Sequence, residues 1–327
     1  MKFMIAGLGS IGRRHLRNLV ALGERDILLY RTHQATLSDN DLAGFSVVTS
    51  LEEALAHRPE AVIIANPTAL HLDVAIPAAE AGCHLLIEKP LSHSMNGIER
   101  LTKAVDAGKG QILIGFQFRF HPGLIQIASL LKEEAIGRPL SVRVHWGEYL
   151  PNWHPWEDYR KGYAARSDLG GGVILTLCHP LDYLHWLLGD IQELFAFGGH
   201  LSDLEVPVED TAEISFQFTR GMVGSVHLNY NQLPPVHRLE IVGTTGTIRW
   251  DNADGVVQIS RAGGAWEAIP APAGFERNWM FMEEMRHFIA LSKGIEEPVC
   301  TLQDGIWALR LSLAALQSID MGKKIRL

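Results

Sequence analysis

A lysine that closes an apolar run is the first residue with the makings of a reactive group. Cys83 to Ile87 reads as a short buried strand, and Glu88-Lys89-Pro90 ends it. Continuous apolar runs of this kind belong to parallel sheets, and ligands of open α/β sheets collect at the carboxyl ends of the strands. Lys89 is therefore either a solvated loop cation or a positive charge aimed at bound chemistry. The second candidate is His179, on a helical stretch that follows Gly170-Gly171-Gly172 and runs to Leu188. Histidine titrates near neutrality and is the usual general acid or base. His179 and Asp182 share a helix side, as do Asp182 and His185. His179 is thus either a core histidine satisfied by Asp182 or an acid/base group facing a bound cofactor. His179 and His185 do not share a face well, so these residues make no zinc set, and no metal site is expected.

A third pattern, Gly7-Leu8-Gly9-Ser10-Ile11-Gly12, follows an apolar strand and opens a helix at the chain start. In that context the glycines have separate uses: a tight turn at Gly7, close approach of a pyrophosphate at Gly9, and helix–strand packing at Gly12. The helix N-terminus adds free N–H groups and partial positive charge, so dinucleotide binding is predicted. Where NAD binders carry an acid for the ribose, the chain reads Tyr30-Arg31-Thr32-His33. Arg31 suits a 2′-phosphate, which favours NADP over NAD; otherwise it is a surface arginine. Arg13 and Arg14 read as solvated helix charges or, alternatively, as groups that help hold phosphate. From Asn152 to Tyr163 a loop gathers Trp153, Trp156, Tyr159 and Tyr163 around Arg160. Exposed aromatics with polar neighbours suit stacking on a sugar face, and the alternative is an aromatic loop packed on a sheet. Arg160, Lys161 and Arg166 hint at an anionic substrate group or are solvated charges.

The elements that position these residues fall into two patterns. Up to about residue 120, short apolar runs alternate with helical stretches: strands at Lys2–Ala6, Asp26–Tyr30, Ala61–Ala65, Cys83–Glu88 and Gln111–Phe116, helices at Arg13–Leu22, Leu51–Ala56, Leu70–Ala81 and near Ser94–Ala107. This predicts right-handed βαβ units and a doubly wound parallel Rossmann sheet. Beyond a helix over Leu124–Glu134 the period becomes two, at Val142/Val144/Trp146, Ala212/Ile214/Phe216/Phe218 and Val226/Leu228/Tyr230. These are strands with one buried and one polar face, an open and mainly antiparallel sheet in an α+β domain. The expected division is a dinucleotide-binding domain over 1–120 and a substrate and oligomerisation domain over 121–327, the last helices packing back on the first domain.

Composition narrows the class. The 327 residues are 47% hydrophobic with a net charge of -8, which gives a sizeable core and no general basic face for nucleic acid. No apolar run of about 18 residues marks a membrane span. Cys83, Cys178 and Cys300 are scattered and odd in number, as in a reducing, cytoplasmic compartment.

Taken in order, these motifs resemble the Gfo/Idh/MocA oxidoreductases over nearly the whole chain: Gly7 to His15, Asn66-Pro67-Thr68 with His71, Glu88-Lys89-Pro90, Gly115 through Pro122, Gly170-Gly171-Gly172 with His179 and Asp182, and Gly243 to Thr247. The resemblance implies hydride transfer between NAD(P) and a sugar, sugar derivative or cyclitol, and a homo-oligomer (dimer or tetramer) built on the C-terminal sheet. It implies Gly7, Gly9, Ser10, Ile11, Gly12, Tyr30, Arg31, Thr32, Asn66, Pro67, Thr68, His71, Glu88, Lys89 and Gln117 at the cofactor. With the readings above, the residues expected at the substrate are Lys89, Arg119, Trp153, Trp156, Tyr159, Arg160, Tyr163, His179 and Asp182, and the resemblance implies that Lys89 and His179 are catalytic. Many members carry an aspartate three or four residues before the histidine. Here Leu175 and Thr176 stand there, so Thr176 is assigned an orienting role. Gln117 replaces a common asparagine. A nicotinamide-binding sensor and an NAD-assisted glycosidase are the alternatives.

Overall fold

The computed structural model describes residues 1–32 and 42–327; His33 lies outside the described residues. The chain begins with β1 (Phe3–Ala6), α1 (Ser10–Ala21), β2 (Ile27–Tyr30), β3 (Ser46–Val48), α2 (Leu51–Ala56), β4 (Ala61–Ile64), α3 (His71–Glu80), β5 (His84–Glu88), α4 (Ile98–Gly108) and β6 (Ile112–Gly115). It continues through α5 (Pro122–Lys132), β7 (Pro139–Tyr149), α6 (Val173–Thr176), α7 (His179–Leu188), β8 (Ile191–Gly199), β9 (Thr211–Phe218), β10 (Val223–Asn229), β11 (Asn231–Gly243), β12 (Gly246–Asp251), β13 (Val257–Arg261) and β14 (Glu267–Ile269). The last elements are α8 (Arg277–Ser292), α9 (Leu302–Met321) and β15 (Ile325–Arg326). Two compact units result: Met1–Gln117 with Arg277–Leu309, and Phe118–Glu276 with Arg310–Leu327.

The first unit holds a parallel sheet in the order β3-β2-β1-β4-β5-β6. β1, β4 and β6 are buried along their whole length, as their unbroken apolar runs require. The order reverses between β1 and β4, the switch point where open α/β sheets bind ligands beyond the strand ends. There the turn after β1 is close-packed. Gly7 has φ +91, and a β-carbon on it would lie 2.4 Å from the Asn66 backbone nitrogen. One on Gly12 would lie 2.0 Å from the Gly7 carbonyl oxygen, whereas Gly9 has nothing within 4 Å. α2 starts as its sequence predicts, with Ser50 accepting from the Glu53 N–H. α4 starts at Ile98, later than Ser94, behind Gly97 in the left-handed region at φ 86.

The second unit holds a sheet in the order β14-β13-β12-β11-β7-β10-β9-β8-β15. Most neighbours are antiparallel, but β7 and β10 run parallel, a pairing that alternation alone does not reveal. One face buries Val142, Val144, Trp146, Ile214, Phe216, Val226, Leu228, Ile241 and Trp250. The other carries Arg143, Glu213, Gln217, Arg238 and Arg249, with Phe197 and Val223 exposed among them. β8 is absent from the sequence reading because the register shifts between Ile191 and Glu193 and breaks the alternation. The helical stretch expected from Val173 to Leu188 is in two pieces, α6 and α7, parted at Leu177 and Cys178. Pro180, in the first turn of α7, has no N–H to continue α6 and restarts the helix.

No helix among the described residues is long and apolar enough to cross a membrane. The phosphate-type turn yields a paired prediction. Gly12→Ala forces backbone apart and lowers unfolding free energy by about 1–3 kcal/mol. Gly9→Ala changes it by less than about 1 kcal/mol. Denaturant titration of both variants measures the contrast.

Candidate functional site

In the first unit the strand ends bring the predicted residues together. β1, β4 and β5 are neighbours, with Ala6 opposite Ile64 and Ile64 opposite Ile87. Gly7, Asn66 and Glu88-Lys89 therefore leave the same edge of the sheet. His71, buried at the start of α3, ties two of these turns together: its ring nitrogens lie 3.0 Å from the Asn66 carbonyl oxygen and 3.0 Å from that of Pro90. Burial lowers the His71 pKa, and a neutral ring donates to one of these oxygens at a time. Asn66 Nδ2 donates to the Leu70 carbonyl at 2.9 Å, while its buried Oδ1 has no partner. Thr68 is buried, and Pro67 and Lys89 are half-buried. Glu88 is buried and bonds His15 Nε2 through Oε1 at 2.8 Å. Gln117 is buried just beyond β6.

The residues fit a dinucleotide on structural grounds. The N-terminus of α1 has no side-chain cap and no acid in its first turn, so the N–H groups around Ser10, Ile11 and Gly12 are left for an anion. The open space over Gly9 leaves room for one. Arg31 follows Tyr30 at the end of β2, is 7% exposed, and donates its N–H to the Val48 carbonyl; Thr32 beside it is exposed. Arg13 is not a solvated charge. It is 5% exposed and its Nε donates to the Leu8 carbonyl at 3.0 Å, bracing the glycine turn. Arg14 is half-buried and lies 4.4 Å above the Phe281 ring.

In the second unit His179 begins α7 and is 2% exposed. Its ring meets Phe118 edge-on at 4.9 Å and Trp146 at 5.5 Å. Trp146 stacks on His237 at 4.2 Å, and Tyr183 Oη lies 3.1 Å from His237 Nε2. Burial keeps the neighbouring imidazoles neutral: it pushes His121 down to about 4 and His237 well below its ordinary value. Asp182 takes Arg119 in a two-pronged pair, Nη2 to Oδ1 at 2.7 Å and Nε to Oδ2 at 3.1 Å, with both side chains almost fully buried. The guanidinium also lies 5.5 Å from the Trp186 ring. Asp182 and Arg119 thus form a buried ion pair, and Thr176 at the end of α6 is also buried.

The aromatic loop is divided. Trp153 meets Tyr230 edge-on at 5.5 Å, and Tyr159 Oη accepts the Glu205 N–H at 3.2 Å, so these two pack on the unit. Trp156 is 68% exposed and Tyr163 36% exposed, free to stack on a ligand. Arg160 bonds Asp158 and Glu205, and Arg166 bonds Asp168. Both arginines already face carboxylates, which removes most of their pull on a substrate anion.

Two acids escape the sequence reading. Glu209 is half-buried behind the triple glycine. A β-carbon on Gly172 would lie 2.3 Å from its carboxylate, and its Oε1 accepts the Ile174 N–H at 3.2 Å. Burial raises its pKa to about 7. Glu284, on α8, is wholly buried. Neither follows a motif, and the one signal that points to Glu209 is the glycine whose missing side chain makes room for it.

Two measurements test these environments. Arg119→Met takes the two-pronged guanidinium from a buried carboxylate and costs about 3–5 kcal/mol by denaturant titration; adding Asp182→Leu recovers most of it. Glu209 has its pKa raised on folding, so its stabilising contribution is complete below the unfolded value and declines as pH rises through the folded one. Between about pH 4.5 and 7 the thermal midpoint of the wild type falls relative to Glu209→Gln.

Residues 1–116 match the oxidoreductase family model described as an NAD-binding Rossmann fold, and residues 124–249 match the GFO/IDH/MocA C-terminal domain. An uncharacterised oxidoreductase of Bacillus subtilis is 28% identical over 98% of this chain and 95% of its own. A myo-inositol 2-dehydrogenase of Thermotoga maritima is 26% identical over 100% and 98%. The solved levoglucosan dehydrogenase in complex with NADH superposes with a TM-score of 0.88 at 20% identity, covering 100% of this chain and 98% of that one, and shares the fold. The chain belongs to the Gfo/Idh/MocA family of NAD(P)-dependent oxidoreductases.

Proposed function

We propose that the protein transfers a hydride between a nicotinamide nucleotide and a carbinol or ketone carbon of a sugar, sugar derivative or cyclitol. The observation that carries this reading is the row of turns on β1, β4 and β5. There an uncapped helix start, the unpaired Asn66 Oδ1 and Lys89 leave one edge of the sheet at its switch point. Gly7, Gly9, Ser10, Ile11 and Gly12 would hold the pyrophosphate, and Tyr30, Arg31 and Thr32 the adenosine end. Asn66, Pro67, Thr68, His71, Glu88, Lys89 and Gln117 would line the nicotinamide end. The sequence Tyr30-Arg31-Thr32, with an arginine in the stretch where NAD binders carry an acid, supports NADP over NAD. The names of the relatives, one an inositol dehydrogenase and one a levoglucosan dehydrogenase, support a polyol or sugar substrate.

The bound nicotinamide supplies the carbon that accepts or gives the hydride. Lys89 donates to the substrate oxygen and stabilises the negative charge that grows on it. His179 takes the hydroxyl proton during oxidation and returns it during reduction. Thr176 orients the oxygen or the imidazole by a hydrogen bond. Trp156 and Tyr163, the exposed members of the aromatic loop, stack on the apolar face of the ring. The open face of the second sheet, with Phe197 and Val223 on it, supports a homo-oligomer, a dimer or tetramer.

The test is Lys89→Met, assayed by reduced-nicotinamide absorbance against a panel of cyclitols, sugars and sugar nucleotides with NAD and NADP. The variant is expected to lose about 10²–10³-fold in kcat while binding NADPH as the wild type does. Turnover within a few fold of the wild type removes Lys89 from the chemistry. Oxidation or reduction of no panel member by the wild type removes the hydride-transfer reading.

A further inference from the structure

Behind Lys89 lies a buried cluster that the steps above leave unused. His15 of α1, Glu88 at the end of β5 and Glu284 of α8 bring one ring nitrogen and two carboxyl oxygens within 4.8 Å of one another. His15 and Glu284 are wholly buried and Glu88 nearly so. The two acids are not equivalent. Glu88 bonds His15 Nε2 at 2.8 Å through Oε1, and its Oε2 accepts the backbone N–H of Lys89 at 3.2 Å. The Arg14 guanidinium on α1 also acts on it, and the ring of His71 on α3, kept neutral by burial, lies nearby. Glu284 has neither oxygen hydrogen-bonded, and the charged group acting on it is Glu88.

Two carboxylates this close in a dry interior do not both ionise, because desolvation and mutual repulsion both oppose the second charge. The negative charge settles where the favourable partners are, on Glu88, and the proton stays on the acid that has none. We propose that Glu284 is the protonated member of this cluster and a positioning residue for Lys89: its neutrality lets a single Glu88 carboxylate hold both His15 and the peptide N–H on which the lysine stands. Burial and the Glu88 charge both raise the Glu284 carboxyl well above its ordinary range, in keeping with that assignment. If Glu284 lost its proton, the second negative charge would push Glu88 from its partners and shift Lys89. The consequence for turnover rests on the hydride-transfer reading; the protonation itself does not.

The test compares the full-length wild type with Glu284→Gln, which keeps the shape and cannot ionise. A buried acid with a raised pKa stabilises fully below its unfolded pKa and loses that contribution as pH rises through its folded value. The thermal midpoint of the wild type should therefore fall more steeply from pH 6 to pH 10 than that of Glu284→Gln. With any panel substrate, the variant should keep kcat within about twofold at neutral pH and move the alkaline limb of the kcat profile up by about one pH unit or more. A purely space-filling role for Glu284 leaves both profiles unmoved. A second measurement needs no variant: carbon NMR of carboxyl-labelled glutamate in the wild type should show one resonance in the acid form through neutral pH, apart from the one that titrates near pH 7. Parallel pH profiles, absence of the acid-form resonance, or a stoichiometric divalent metal in the purified wild type that Glu284→Gln lacks would each overturn the proposal. No turnover with any substrate, alongside the expected divergence in thermal midpoints, would instead uphold the cluster and remove the hydride-transfer reading.

Discussion

At the end of β1 the backbone of Gly12 comes so near the Gly7 carbonyl that a side-chain carbon would sit 2.0 Å from the oxygen. Much of the first unit depends on that approach. It seats α1 tightly against the switch point, points its uncapped N-terminus over the sheet edge, and brings Asn66 against Gly7. Because α1 is seated there, its buried face carries His15 to the end of β5, where Glu88 waits. The turn that would receive phosphates and the turn that carries the lysine are thus joined through one helix, and what shifts one shifts the other.

The same physics governs the acids that no motif marks. Burial lifts both Glu209 and Glu284, but by different degrees of enclosure. Glu209 is half-buried and keeps one N–H donor, so it titrates near neutrality. Glu284 has no donor and no solvent, so its proton is held far more firmly. Asp182 is also deeply buried, and Arg119 meets it with two bonds. Three enclosed acids thus have three different sets of donors: none at Glu284, one N–H at Glu209 and a guanidinium at Asp182.

What could be read from the sequence follows from range. Apolar runs and their period are local, so the parallel order of the first unit and the two-faced strands of the second were legible, as were the glycine turn and the lysine at a strand end. Arg13 could not be placed, because its partner is the carbonyl of a turn that exists only once the strand is folded. The parallel pairing of β7 with β10 is a tertiary fact, and a single register shift hid β8. His15, Glu88 and Glu284 lie far apart in the chain and share no spacing rule. For Asp182 the helix spacing suggested His179, and the stronger cation, Arg119, came from another element.

The first unit draws α8 from Arg277–Ser292, which follows β6 only after the second unit's strands have been made. A chain emerging from the ribosome can pair β1 to β6 long before that helix exists. For that interval the phosphate-type turn stands complete while the floor beneath Lys89 is unfinished, and Glu88 and His15 lack the surface that seals them from water. In a nascent chain the turn at Gly7–Gly12 would then be in place before the cluster of His15, Glu88 and Glu284 is closed. The surroundings of Lys89 are completed by a helix made well after the strand that carries it.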